Sequence, residues 1–538
     1  MAPTHIKGAS RKKRPGTGTL ARLCAALALC AAAAARAAFP FAEATIDDLQ
    51  ARMSAGTLTA HELTAAYLQR IAEIDKAGPA LNAVIELNPD ALAIADRLDA
   101  ERRAGRVRGP LHGIPVLIKD NISTADAMDT TAGSLALAGT RPPSDAAVVT
   151  RLREAGAVIL GKTNMTEWAG FRSYDSTGGW SGRGGQTHNP YVLDRDPDGS
   201  SSGSAVAVSA NLCEFAIGTE TDGSIVDPSS NCGIVGLKPT VGLVSRAGLI
   251  PLSVSQDTAG PLTRTVRDAA IVLGVLAGPD PRDPVTLQRP RFRRRGYTWA
   301  LGPGALSGAR IGVIRDAPVL DPRMTRILDR AVAELRDAGA VVVDPVEIPT
   351  VERIGPQEGV VLFYEFKSGI DGWLASLGPG APVHSLSQVI AFNNSHHREE
   401  MHYFGQDQLV EADAKGPLTD KAYRDALALS RRLARDEGID AAMDRYRLDS
   451  LVAITCGPAW VIDHVDGDNG SGGSSTLAAV AGYPSITVPA ARFFGLPVGI
   501  SFFGRAWSEA QLLGLAADFE GRTHARREPQ FLPTVAAH

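Results

Sequence analysis

The stretch Gly199–Thr240, GSSSGSAVAVSANLCEFAIGTETDGSIVDPSSNCGIVGLKPT, decides how this chain folds. It sets two turns of small residues, Gly199 to Ser204 and Asp222 to Ser224, on either side of an apolar segment. Ser202 or Ser204 is suited to open a small-residue helix over 205–210, because a serine hydroxyl satisfies amides that a helix start leaves unpaired. Phe215 to Gly218 reads as a short buried strand. Ser200 and Ser224 can then meet in space, although 24 positions separate them. Upstream, in GIPVLIKDN, Lys119 ends the apolar run Val116-Leu117-Ile118, and Pro115, lacking an amide hydrogen, suits the first residue of that strand. A lysine so placed can sit in a dry site, where its pKa drops and it becomes a neutral base near pH 7. On residue chemistry alone, a strand-end lysine reaching solvent is the simpler reading. Lys119, Ser200 and Ser224 together form a candidate Ser-Ser-Lys relay.

The serine turn has a competing reading. Gly199, Ser201 and Gly203 satisfy G-x-S-x-G, the nucleophile elbow of α/β-hydrolases, which would make Ser201 the nucleophile and require a downstream acid and histidine. His464 and His524 are available, but neither sits in a motif. His112, beside the lysine strand, is assigned no role, since a lone histidine there is more often a packed bystander.

The chain has 538 residues, 44% of them hydrophobic, which is long enough for a large core and places it among globular enzymes. The first 37 residues stand apart. Five basic residues from Lys7 to Arg14 precede an apolar run from Leu20 to Ala35 and the triplet Ala35-Arg36-Ala37, the three-part pattern of a cleaved secretory leader. The run is too short and alanine-rich for a membrane span, so a secreted or periplasmic protein without stable membrane association is expected. Removing the leader's seven basic residues takes the formal net charge from −4 to −11. An acidic mature surface disfavours nucleic acid as a partner, because phosphate binding needs clustered lysine and arginine. The one dense basic run, Arg289 to Arg295, is interrupted by Pro290 and reads as a solvated connector. Cys213, Cys232 and Cys456 remain after cleavage and permit one disulfide at most.

Helical periodicity covers 46–77, divided at Gly56, with Asp47 and Asp48 favouring the first start. A strand over 81–87, a charged helix over 89–104, a helix over 145–155 and a strand over 158–162 continue a β-α-β alternation. The glycine- and tryptophan-rich connection 164–191 is long enough to be a functional loop, and lining the substrate cleft is as good a reading as surface packing. After a loop over 279–308 come a strand at 309–314, a helix at 324–338 and a strand at 341–343. The region 357–448 is mostly helical, and a last helix spans 509–522. His396, His397, Glu399, Glu400 and His402 do not form H-E-x-x-H and read as a solvated helix face, so no metal is expected.

The blocks GIPVLIKDN, GSSSGSA, GTETDGSI and CGIVGLKPT, in this order and spacing, resemble the amidase signature family, and GSSSGSAVAV, GTETDGSIV, VGLKPTVGLVS and SQDTAGP resemble its peptide amidase branch. The similarity runs from about Phe39 to the C-terminus. It implies a single domain over 38–538, with a signature core near 110–265. That domain would be α/β, a large mixed twisted sheet covered by helices on both faces. Ser224 would be the nucleophile, Ser200 a bridging serine in a cis peptide, Lys119 the base, and the amides of Thr221, Asp222, Gly223 and Ser224 the oxyanion donors. In such sites the loss of one donor costs about 3–4 kcal/mol of barrier. No cofactor is implied, and the substrate would be a small peptide amide or another carboxamide. Three positions depart from the broad family pattern: Asp222 where glycine is usual, Ser202 for the first glycine of Ser-Gly-Gly-Ser, and Val226 where arginine is frequent. All three resemble the peptide branch. The alternatives are a broader acylamidase on small or aryl amides, a tRNA-dependent glutaminase subunit, which the leader and acidic surface argue against, and a silent peptide-binding protein.

Overall fold

The computed structural model describes residues 39–288, 290, 296–315, 321–470 and 472–535. The leader and the arginine run at 289–295 lie outside the described residues, Pro290 excepted. The chain divides into two units, Met1–Ala42 and Glu43–His538. Of the first, only 39–42 is described, and the second carries the sheet and its helices.

The strands are β1 (Val84–Leu87), β2 (Pro115–Lys119), β3 (Val158–Thr163), the small hairpin β4 (Trp180–Ser181) and β5 (Gly185–Gln186), β6 (Phe215–Glu220), β7 (Val235–Lys238), β8 (Thr258–Thr263), β9 (Arg310–Val313), β10 (Val341–Val343), β11 (Ser450–Ile454), β12 (Ser485–Phe493) and β13 (Leu496–Phe503). Apart from the hairpin they form one eleven-stranded sheet in the order β1-β3-β2-β6-β8-β7-β12-β13-β11-β9-β10. The sheet is mixed: β2 runs parallel to β3 and β6, and β9 to β10 and β11, while the remaining pairs are antiparallel. Every residue of β2, β3 and β6 is buried. Strands covered on both faces lose the polar alternation of a half-exposed sheet, which is why they appear in the sequence as apolar runs.

Local chemistry sets the element ends. Thr45 and Asp48 form a capping box at the head of helix Ile46–Ser54, and Thr59 and Glu62 form another at helix Ala60–Arg70. Gly56 divides the two with φ +70°. The second helix ends in a wide turn, Ile71–Asp75. Strand β1 starts at Val84 rather than at 81, because Ala80 and Asn82 adopt positive φ and the Asp75 carboxylate takes the amides of Ala83 (2.6 Å) and Val84 (3.2 Å). His112 packs as a bystander, its Nε2 2.9 Å from the Leu98 carbonyl oxygen.

The small-residue helix spans Ser202–Ser209, longer than expected, and no serine caps it through its side chain. All eight residues are buried, so the hydroxyls turn sideways: Ser204 Oγ lies 2.7 Å from Thr163 Oγ1 on β3. Small side chains let this helix press against the sheet.

Helices Gly355–Ser376, Leu386–Ser395, Asp407–Asp413, Lys421–Ala434 and Asp440–Tyr446 occupy most of the helical region. It joins the 164–191 loop through an apolar cluster in which the Phe171 ring lies 4.9 Å from Phe363 and 5.0 Å from Phe366. Burying a side chain of that size contributes about 1.5–3 kcal/mol, so this contact holds the loop in place. The solvated reading of the histidine-rich stretch needs correction at Glu400, which is fully buried against Arg172. The three cysteines are buried free thiols. Among the described residues no helix is long and apolar enough to cross a membrane.

Candidate active site

Strands β2 and β6 lie side by side and parallel, with Ile118 opposite Ile217, so Lys119 and Thr219 reach the same edge of the sheet at their C-terminal ends. Open α/β sheets place ligands at that edge. Lys119 is fully buried. Its Nζ lies 2.7 Å from Ser200 Oγ and donates to the Thr219 carbonyl at 3.1 Å. Burial pulls its pKa down to about 7, against the raising influence of Asp257 and Glu220. The Gly199–Ser200 peptide is cis. Ser201 N donates to the Ser224 carbonyl at 3.1 Å, which ties together the two small-residue turns. Ser200 and Ser224 line one cavity of about 310 Å³, shared with Asp198, Asp222 and Asp468.

The turn from Thr221 to Ser224 is shaped by groups on either side of it. Glu220 Oε2 accepts the amides of Ile225 (2.7 Å) and Val226 (3.0 Å), folding the chain back over the end of β6. None of the four amides from Thr221 to Ser224 has an acceptor among the described residues, so they remain available to a ligand oxygen. Gly223 has φ +79°, and a Cβ there would collide with Asp227 Oδ2, so only glycine fits. Thr221 Oγ1 donates to Asp257 Oδ1 at 2.6 Å, while Asp257 Oδ2 takes the amides of Leu252 and Ser253, both at 2.9 Å. Burial raises the Asp257 carboxyl to about 6. Asp222 Oδ2 accepts from Thr476 Oγ1 at 2.7 Å.

The structure thus brings Lys119 against Ser200, and Ser200 into one cavity with Ser224 and Asp222. Ser201 is held differently: its Oγ donates to the Thr219 carbonyl at 3.0 Å, it is fully buried, and it does not line the cavity. Neither His464 nor His524 lines it either. The 164–191 connection does, through Thr166, Ala169, Ser173 and Tyr174 among others. A smaller, more enclosed pocket beside Ser200 and Thr221 is walled by Met165, Trp168, Ile250 and Phe366. Sequence reasoning gave no part to Glu220, Asp257, Gln256 or Glu358, all of which support the turn. Gln256 and Asp257 lie in the SQDTAGP block, which was their only signal.

A buried amine poised to accept a proton, a hydroxyl against it, a second hydroxyl in the same cavity and a turn of unused amides are the parts needed to attack a carboxamide and hold the resulting oxyanion.

Over most of its length the chain is similar to known amidases. The Amidase family model matches residues 62–513. A probable amidase of Arabidopsis thaliana is 42% identical over 503 residues, covering 92% of this chain and 93% of the plant protein. The native peptide amidase of Stenotrophomonas maltophilia superimposes with a TM-score of 0.88 at 56% identity, over 92% of this chain and 100% of that one. An amidase family protein of Bacillus anthracis gives 0.82 at 36% identity, over 91% of this chain and 92% of the bacillus protein. The match spans the sheet and the helical region alike, and from it the chain belongs to the amidase signature family and is a hydrolase acting on amides.

Proposed function

We propose that this enzyme hydrolyses the C-terminal carboxamide of peptides to the free acid and ammonia, with Ser224 as nucleophile, Ser200 as bridge and Lys119 as base. The observation that carries the reading is the fully buried Lys119 Nζ 2.7 Å from Ser200 Oγ, at the wall of the cavity that also holds Ser224. Near pH 7 a large share of Lys119 is an uncharged amine able to take the Ser200 proton while Ser200 takes that of Ser224. Ser224 Oγ then bonds to the carboxamide carbon, and the oxyanion points at the amides of the 221–224 turn. Lys119 returns the proton through Ser200 to the departing nitrogen, which leaves as ammonia. An acyl-enzyme on Ser224 remains, and water deprotonated by the same relay releases the acid. The likeness to the Stenotrophomonas peptide amidase supports a peptide substrate.

Ammonia release from a panel of peptide amides, small aliphatic amides and aryl amides tests the substrate class, with Ser224→Ala and Lys119→Ala beside the wild type. Release from peptide amides that both substitutions abolish is the expected result. Release from small or aryl amides alone would replace the peptide reading with an acylamidase. No release from any amide would favour a peptide-binding protein. Mass spectrometry of the enzyme quenched during turnover is expected to show the acyl adduct on Ser224. We further propose export with removal of residues 1–37, which N-terminal sequencing of the protein recovered outside the cytoplasm checks.

A further inference from the structure

Two buried acids meet behind the nucleophile turn. Glu358 lies in the first turn of helix Gly355–Ser376 and is 7% exposed. Its Oε1 accepts from Gln256 Nε2 at 2.7 Å, and the same nitrogen reaches the Thr221 carbonyl at 3.4 Å. Its carboxyl also interacts with that of Asp222. Thr476 donates to Asp222 Oδ2, yet Asp222 Oδ1 is buried and has no donor while both acids are ionised. Two carboxylates in contact cannot both keep their charge in a buried site, whereas one proton between them makes a strong O–H···O⁻ bond.

Resting on the reading of Ser224 as nucleophile, we propose that Glu358 and Asp222 share one proton and together position the turn from Thr221 to Ser224, which is competent only while that proton is held. Glu358 reaches the turn at two points, through Gln256 at the Thr221 carbonyl and at the Asp222 carboxyl. The other ionisable groups facing Asp222 are Lys238 from β7, Glu220 from β6 and Asp227 from helix Val226–Asn231. Lys238 spends its ammonium on the carbonyls of Tyr483 and Pro239, and among the described residues neither Glu220 nor Asp227 hydrogen-bonds to Asp222, so none of the three supplies the missing donor. Burial holds both carboxyls above the usual range, and the Asp222 charge pushes that of Glu358 up further. When the proton leaves, the pair repels and the turn loses the geometry in which its amides meet the oxyanion. That loss falls on kcat more than on KM, because the amides act on charge that develops during reaction.

The test is the pH dependence of kcat and KM for the wild type, Glu358→Gln and Glu358→Ala. Wild-type kcat is expected to fall by about tenfold or more on the alkaline side. Glu358→Gln presents an N–H to Asp222 at every pH and an oxygen to Gln256, so its alkaline fall is expected to vanish. Glu358→Ala is expected to lose kcat at all pH values with little change in KM. Should Glu358→Gln not fold, Asp222→Asn moves the permanent donor to the other partner and is expected to remove the same limb. A wild type without an alkaline limb, or glutamine and asparagine variants that keep the wild-type limb, would overturn the proposal. The acid limb, set by Lys119, is expected in every variant. Its absence together with activity in Ser224→Ala would instead strike the relay reading itself.

Discussion

On the proposed relay, Lys119 is the residue on which the pH response turns. Its folded pKa of about 7 sits below that of a free lysine because burial disfavours the ammonium. Only the neutral amine can take the Ser200 proton, so kcat/KM is expected to rise as pH passes through about 7 from below. A profile flat between pH 5.5 and 8 would contradict the assignment. Ser200→Ala breaks the bridge without emptying the cavity, and kcat is expected to fall about 10²–10⁴-fold, the range of a lost proton-transfer group. Gly223→Ala acts through the backbone alone: the new Cβ meets Asp227 Oδ2 at a positive φ and must swing the turn. Loss of one aligned oxyanion donor lowers kcat by about 10²–10³-fold, and steady-state kinetics with an unchanged circular dichroism spectrum is the expected pairing.

At the scale of elements, the helical region and the cleft loop are fastened by one buried arginine. Arg172 Nη1 donates to Glu167 Oε2 (3.2 Å), Glu400 Oε2 (3.4 Å) and the Glu400 carbonyl (2.6 Å), and Nη2 to the Phe404 carbonyl (3.2 Å). Its guanidinium also lies over the rings of Trp180 and Phe404. Removing one partner of a buried pair leaves the others unpaired, so Arg172→Ala is expected to cost about 3–5 kcal/mol in urea unfolding. Arg172→Lys is expected to recover little, since an ammonium cannot present the planar fork that reaches four oxygens. This fastening was invisible in the sequence because Glu400 and Arg172 are 228 positions apart, and Glu400 sits among histidines on what looks like a wet helix face. The strands that carry the candidate site were legible for the opposite reason. Burial on both faces leaves β2, β3 and β6 as apolar runs, and the two small-residue turns stand out at their ends. The boundary of β1 was not legible, because the Asp75 carboxylate, rather than any apolar pattern, decides where that strand begins.

For the whole molecule, buried acids in the site and beyond it resist ionisation, and that shows in how stability follows pH. Asp257 is held at about 6, Asp198 at about 7 and Glu520 at about 7, all above free carboxyls and all chiefly because burial disfavours the anion. Between about pH 4 and 7 the folded chain keeps protons on these groups that the unfolded chain has released. Stability therefore falls as pH rises through that window. Lys119 works in the other direction and in a different window: between about 7 and 10.5 the unfolded chain holds a proton that the folded chain lacks, so this contribution grows with pH. The melting temperature is expected to drop by a few degrees, to order of magnitude, from pH 5.5 to 7.5. Lys119→Met removes the buried amine while keeping much of its volume, and is expected to melt higher than the wild type at pH 6 although the proposed relay leaves it unable to hydrolyse amides. Calorimetry of both proteins at pH 5.5, 6 and 7.5 decides the point. A wild type that melts higher at pH 7.5, or a methionine variant that melts lower at pH 6, would mean that partners on the sheet edge outweigh the penalty of dehydrating these groups.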